Sequence, residues 1–243
     1  MSSGSGFLAR SFNCYQAYGA AETFRRVLHR FKILSVQRSL DFFMKELSES
    51  SNGAPVEKCL WAFREVHVHE FEDLIYADGL PSVEWMREQF NHGSRLFAAF
   101  ENGCVVATHW IHEKIAELGH IRRIVELSAR AVYTHGALTA VAFRNKGIGT
   151  LLKRYLLSVL HQEGFRYVFL AVFLDNHDAM RWHLKNSFAK WGTVTYLKFA
   201  NRQFWWTQLT SVGRQYSDLL KNEAKQLRAP ILNEVSSGLR GNK

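Results

Sequence analysis

After Gly147 the chain places apolar side chains at Ile148, Leu151, Leu152, Tyr155, Leu156, Val159 and Leu160. That spacing follows one face of an α-helix, and Gly164 stands where a C-terminal cap belongs. The pattern then changes. Phe165–Leu174 is an almost unbroken apolar run, as in a strand buried on both faces. Upstream, Arg95–Phe100 and Cys104–His112 flank Glu101-Asn102-Gly103, which predicts a hairpin. Strands are also expected at Lys58–Val66, Ile124–Tyr133, Ala137–Phe143, Gly192–Phe199 and Gln203–Thr207. Helices are expected at His69–Tyr76, at Ser82–Asn91 with Ser82 as N-cap, at His177–Asn186 and at Gln215–Leu227. Ile33–Leu47 fits strand or helix equally well.

Ala20–Lys32 carries Phe24, Val27, Leu28 and Phe31 on one helical face and Arg25, Arg26, His29, Arg30 and Lys32 on the other. Such a helix is a solvated surface element or a contact for anionic surfaces. The polar stretch Ser48–Pro55 reads as a linker. The expected division is therefore an N-terminal arm at 1–55, a main domain at 56–210, and a C-terminal helix and polar tail at 211–243.

With 243 residues and 47% apolar content, the chain can bury one ordinary core. No apolar run approaches the roughly 20 residues of a membrane-spanning helix. The N-terminus lacks a secretory pattern, and Cys14, Cys59 and Cys104 have no metal-ligand spacing, so a cytoplasmic protein with reduced thiols and no metal is expected. The net charge of +9 invites polyanions. Without a long basic run or a zinc-finger or RNP pattern, specific nucleic-acid binding is not expected. His67, His69 and Glu70 alternate at strand spacing but lack a further ligand nearby.

The segment Phe143–Leu157, FRNKGIGTLLKRYLL, joins an expected strand to the amphipathic helix through a basic glycine loop. Backbone amides of such a turn, with the helix dipole behind them, bind anions. Gly147 and Gly149 permit close approach and positive φ, while Arg144 and Lys146 add charge. The P-loop pattern is absent, and the dinucleotide fingerprint fails because position 152 is Leu152. What remains, Arg144-x-x-Gly147-x-Gly149, resembles the pyrophosphate-binding signature of the GNAT acetyltransferase superfamily. About 30 residues on, Asn176, Ala179, Lys185 and Phe188 match the N-x-x-A-x-x-x-Y-x-K-x-G-F segment common in that superfamily. His183 replaces its tyrosine and Ser187 its glycine. The resemblance covers roughly residues 58–208.

The resemblance implies an α/β fold, with a central, mostly antiparallel mixed sheet containing two splayed parallel strands and flanked by helices. It implies acetyl-CoA or another acyl-CoA as co-substrate. The pyrophosphate would lie on Arg144, Asn145, Lys146, Gly147, Ile148, Gly149 and Thr150. The pantetheine arm would lie between Leu138–Phe143 and Phe165–Leu174, pairing with backbone groups of Thr139 and Val141. Asn176 would hydrogen-bond that arm or simply cap a helix. His183 stands in the place of the proton-donating tyrosine. No carboxylate occupies Thr134–Phe143, leaving Glu126, Tyr133 and His135 as candidates for the base. Trp85, Met86, Phe90 and Trp205 are candidates for the acceptor pocket.

Two functions follow. One is an acyltransferase moving an acetyl or longer acyl group to the amine of a small molecule or protein. The other is a catalytically weakened CoA-binding or partner-binding module on the same scaffold. A homodimer and peripheral contact with anionic surfaces both stay open.

Overall fold

A computed structural model of the chain describes residues 34–48, 60–199 and 202–221. The helix expected at 20–32, most of the linker expected at 48–55 and the tail expected beyond 221 lie outside the described residues. The described chain builds a nine-stranded sheet, a three-stranded sheet and four α-helices. The strands, in order, are β1 (Leu34–Glu46), β2 (Ala62–Val66), β3 (Ile75–Tyr76), β4 (Arg95–Glu101), β5 (Cys104–His112) and β6 (Ile115–Leu118). There follow β7 (Arg123–Leu127), β8 (Ala131–Thr139), β9 (Tyr167–Phe173), β10 (Ala189–Phe199), β11 (Arg202–Leu209) and β12 (Leu220–Lys221). The helices are α1 (Val83–Asn91), α2 (Ile148–Gln162), α3 (His177–Lys185) and α4 (Ser211–Gln215).

The large sheet runs β11-β10-β1-β9-β8-β5-β4-β2, with the short β3 pairing β5. It is antiparallel except for β3–β5 and the central β8–β9 pair. The sheet draws on residues assigned above to the N-terminal arm, because β1 lies between β9 and β10. Leu40, Phe42 and Met44 join the core on one face of β1, and Phe43 joins the core on the other. A strand covered on both faces loses its alternation, which is why the sequence pattern there is undecided. Its one buried charge, Asp41, is paired: Lys190 Nζ donates at 2.7 Å and Thr193 Oγ1 at 2.6 Å.

On one face of the sheet, α2 buries Ile148, Leu152, Leu156, Leu157 and Leu160 against Phe97, Ile111, Val132, Val168 and Leu170. Each such side chain contributes about 1.5–3 kcal/mol of hydrophobic stabilisation. On the other face, α1 packs Met86 against Leu96, Ala98 and Trp110. The small sheet β12-β7-β6 packs Ala116, Leu118 and Val125 against Phe42, Tyr133 and Phe169. Arg95 ties the rim together by binding Glu65, Glu113 and Glu163 at 2.6–2.8 Å.

Several expected elements differ. His69–Tyr76 is a series of turns ending in β3, because Phe71 is the single fully buried anchor in this stretch and Tyr76 Oη donates to its carbonyl. The expected strand Ile124–Tyr133 is two strands in different sheets, β7 and β8, broken at residues 128–130. Val141–Phe143 is a 3-10 turn, so β8 ends at Thr139. Residues 215–221 pass through the end of α4, a further 3-10 turn at Ser217–Leu219 and β12, and the expected helix does not form over them. Among the described residues, no helix is long and apolar enough to cross a membrane.

Candidate active site

Strands β8 and β9 pair at three positions, Ala131↔Tyr167, Val132↔Val168 and Tyr133↔Phe169, and then part. Beyond that point β8 keeps β5 as its partner and β9 keeps β1, so the two arms at 134–139 and 170–173 are not paired to each other. At the vertex Thr134 Oγ1 donates to Phe169 O at 3.4 Å, and the Ala171 amide donates to the phenol oxygen of Tyr133. The gap expected between 138–143 and 165–174 thus lies deeper, between 134–139 and 170–173.

The β8 arm is kinked by a bulge. Thr108 pairs with Leu138 and Trp110 with His135, which leaves Gly136 and Ala137 opposite His109. Gly136 takes φ +56°, and a Cβ there would come within 2.8 Å of Trp110 Cδ1. Both constraints require glycine. Ala137 and Leu138 are exposed along the arm.

The arm leads through the 3-10 turn to the glycine loop and α2. Asn145 and Gly147 both adopt positive φ, and Gly147 is the N-cap of α2 without any side-chain cap. The amides of Thr150 and Leu151 bond back to Gly147 O at 3.0 Å, and the Arg144 amide bonds to Val141 O. Among the described residues, the amides of Asn145, Lys146, Gly147, Ile148 and Gly149 meet no acceptor. Residues 144–147 are exposed, and nothing stands within 4 Å of a Cβ placed on Gly147. Arg144 Nε donates to Thr139 O at 3.1 Å, and Lys146 Nζ lies 4.8 Å from the Phe143 ring, so both cations stay at the loop without filling it. Gly149 is fixed by proximity, since its Cβ would sit 3.1 Å from Thr139 Oγ1. Trp182 Nε1 donates to Thr150 Oγ1 at 3.1 Å and ties α3 to the first turn of α2. The loop's free amides, its charges and the parted arms fit a pyrophosphate followed by an extended chain.

Ile148 is buried beneath this loop, while Val141 is exposed with Gly79 against its side chain. Asn176 caps α3, its Oδ1 accepting from Ala179 N at 3.1 Å. His183 is 8% exposed and lies against Phe43 and Phe188, with its Nδ1 3.3 Å from Nζ of Lys153, which is itself 1% exposed. Burial first and Lys153 second push His183 down to about 3, so its ring is neutral at physiological pH. Tyr133 is buried at the vertex, and desolvation raises its phenol, which keeps its proton. Glu126 sits in the small sheet, between Ile115 on β6 and Lys221 on β12, and no hydrogen bond or ion pair joins it to the β8 arm. His135 lies on the arm, stacked 4.7 Å from His112, and burial lowers it to about 3.

Of the pocket candidates, Trp85 meets the bulge, its Cη2 lying 3.4 Å from a Cβ on Gly136. Met86 and Phe90 are packed in the layer beneath, and Trp205 sits in the separate cluster beside the small sheet, donating to Ile121 O. Sequence reasoning missed Trp110, Thr108 and Lys153. Lys153 carried a usable signal as the single charged residue on the buried face of α2. Among the described residues, no group of three or more His, Cys, Asp or Glu is placed to hold a metal ion.

A model of the acetyltransferase (GNAT) family matches residues 57–188. No curated protein matches the sequence. Among solved structures, a functionally unknown conserved protein from Staphylococcus epidermidis is similar at 13% identity and TM-score 0.49, over 73% of this chain and 66% of that one. A GCN5-related N-acetyltransferase from Sphaerobacter thermophilus is similar at 16% identity and TM-score 0.48, over 75% of this chain and 57% of that one. A GNAT family acetyltransferase from Elizabethkingia anophelis, solved with acetyl-CoA bound, is similar at 15% identity and TM-score 0.39, over 53% and 75%. The chain thus spans less than two thirds of the first two structures.

Proposed function

This chain belongs to the GNAT acetyltransferase family, and from that premise we propose that it transfers an acetyl or longer acyl group from acyl-CoA to an amine by direct attack on the thioester. The observation that carries the reading is the parting of β8 and β9 after Tyr133 and Phe169, with a loop of unpaired amides at the end of the parted arm. The pyrophosphate is assigned to the amides of residues 145–149, with Arg144 and Lys146 screening its charge and Thr150 beside it. The pantetheine arm is assigned to the gap, where backbone groups near Thr139 and Val141 add hydrogen bonds in the manner of an extra strand. The side-chain amide nitrogen of Asn176 is assigned to the same arm, since its oxygen serves the cap.

In the transfer, the lone pair of a neutral amine forms the new C–N bond as the C–S bond breaks. Nitrogen gives up one proton and sulfur takes one. The role expected of His183 passes to Tyr133, because the protonated phenol belongs to the last residue of β8 paired with β9, at the vertex of the gap, whereas His183 is walled in by Phe43 and Phe188. Tyr133 then stabilises the charge that develops on the thioester by donating a hydrogen bond. Neither Tyr133, Glu126 nor His135 is assigned as base. One phenol keeps its proton, the carboxylate has no link to the arm, and the imidazole is too weakly basic in its buried setting.

Release of free thiol from acetyl-, butyryl- and octanoyl-CoA against pooled amines tests the reading. Amine-dependent thiol release that drops at least tenfold in Tyr133→Phe supports it. Acyl-CoA binding without any amine-dependent release would instead favour the binding-module reading, to which the carboxylate-free arm lends weight.

A further inference from the structure

Thr108 Oγ1, Trp110 Nε1 and His135 Nε2 are buried polar atoms without a hydrogen-bond partner among the described residues, and all three belong to residues that bracket the Gly136 bulge. Buried polar atoms are nearly always satisfied, and three orphans on one patch of two adjacent strands point to partners from outside the chain. The patch is walled by rings. Trp85 stands edge-on to Trp110 with centroids 5.6 Å apart, Phe90 meets Trp110 at 5.0 Å, and His135 stacks between His112 at 4.7 Å and Tyr133 at 6.1 Å. The exposed side of this wall is the β8 arm, at Ala137 and Leu138.

The wall offers nothing to a cation. Both histidines are neutral, His112 near 4 and His135 near 3, and no carboxylate lies near enough to raise either. Glu117 is held by His92, its Oε2 3.8 Å from His92 Nδ1. Trp110 is fully buried, with Trp85 and Phe90 edge-on to it and His135 tilted at 6.5 Å, so its indole offers no open face to an ammonium group.

We propose that this wall takes the acceptor as an uncharged, flat amine, an arylamine or another weakly basic ring amine, and disfavours alkylammonium ions. The proposal rests on the acyl transfer proposed above. An alkylamine is protonated up to about pH 10.4 and must shed both its proton and its hydration to enter. An arylamine arrives neutral, packs its ring against the edge of Trp85 at the bulge, and gives its N–H to His135 Nε2 while Trp110 Nε1 and Thr108 Oγ1 are left for a second polar group on the ring.

The test loads the protein with CoA at pH 7 and titrates aniline and cyclohexylamine, following tryptophan fluorescence. Aniline is expected to bind at least tenfold more tightly, the difference is expected to close as pH approaches 10, and Trp85→Ala is expected to lose most of the aniline affinity. Equal affinity for the two amines at pH 7, or binding of neither, overturns the proposal. The melting-temperature shift given by acetyl-CoA on the same sample reports separately on the acyl-CoA site, so a failure of that site is told apart from a failure of the acceptor wall.

Discussion

Nζ of Lys153 lies 3.3 Å from Nδ1 of His183, with both residues buried between α2, α3 and the sheet and with no carboxylate beside them. Phe188 and Trp182 place their rings 4.2 and 5.0 Å from the same nitrogen. Desolvation, with Lys45 nearby, pushes Lys153 well below the usual lysine range. A pair of bases without an acid shares a site only by staying largely unprotonated.

That pair sets an alkaline trend in stability. Lys153 has a lowered value in the fold and regains the ordinary one, about 10.4, on unfolding, so unfolding takes up a proton between the two values. Stability therefore rises with pH across that window. Lys153→Met is expected to flatten the rise, as read from urea midpoints at pH 7, 8 and 9. An unchanged slope in the variant would show that Lys153 is charged in the fold.

The acid side follows from the buried imidazoles. His135 and His183 near 3 and His112 near 4 are neutral in the fold and charged below about 6.5 when unfolded. His109 is lowered in the same direction, by burial first. Their contribution is whole above pH 6.5 and falls as pH drops toward 3–4, by about 2 kcal/mol per histidine at pH 5. Melting curves at constant ionic strength are expected to drop steeply between pH 7 and 5. A flat profile there contradicts the burial of these rings.

Gly147→Glu is expected to cost about 1–2 kcal/mol, because a side chain is strained at φ +85° although space is free around it. The folded variant should lose the melting-temperature response to acetyl-CoA, since a carboxylate then stands where the diphosphate is assigned. A wild-type response in Gly147→Glu would remove the loop from the account.

Much of this arrangement was legible in the sequence where a single period governed the chain. The seven apolar positions from Ile148 to Leu160 gave α2, Ser82 gave the start of α1, and Asn102-Gly103 gave the β4–β5 turn. The spacing of Arg144, Gly147 and Gly149 pointed to the loop. Legibility failed where tertiary contacts decide. β1 carries no usable alternation because both its faces are covered, and residues 69–76 have the composition of a helix with one fully buried anchor, Phe71. The bulge at Gly136 depends on Trp110, which is 26 positions earlier, and the partner of His183 is Lys153, 30 positions earlier. No local pattern reports contacts at such separations.

Gly136→Ala probes the bulge. The added methyl would meet Trp110 Cδ1 at 2.8 Å in a left-handed backbone, so the variant should lose about 2–4 kcal/mol and shift the wall against the β8 arm. Thiol release should fall further than acyl-CoA affinity, because the loop is untouched. Equal losses in both would mean that the bulge serves the fold alone.

The most direct measurement is a calorimetric titration of acetyl-CoA into the full chain and into Gly147→Glu. One acetyl-CoA per chain, with binding that weakens as salt rises and vanishes in the variant, is the predicted result. Absence of binding at millimolar acetyl-CoA, or equal binding by both proteins, would contradict the assignment of the diphosphate to the amides between Asn145 and Gly149.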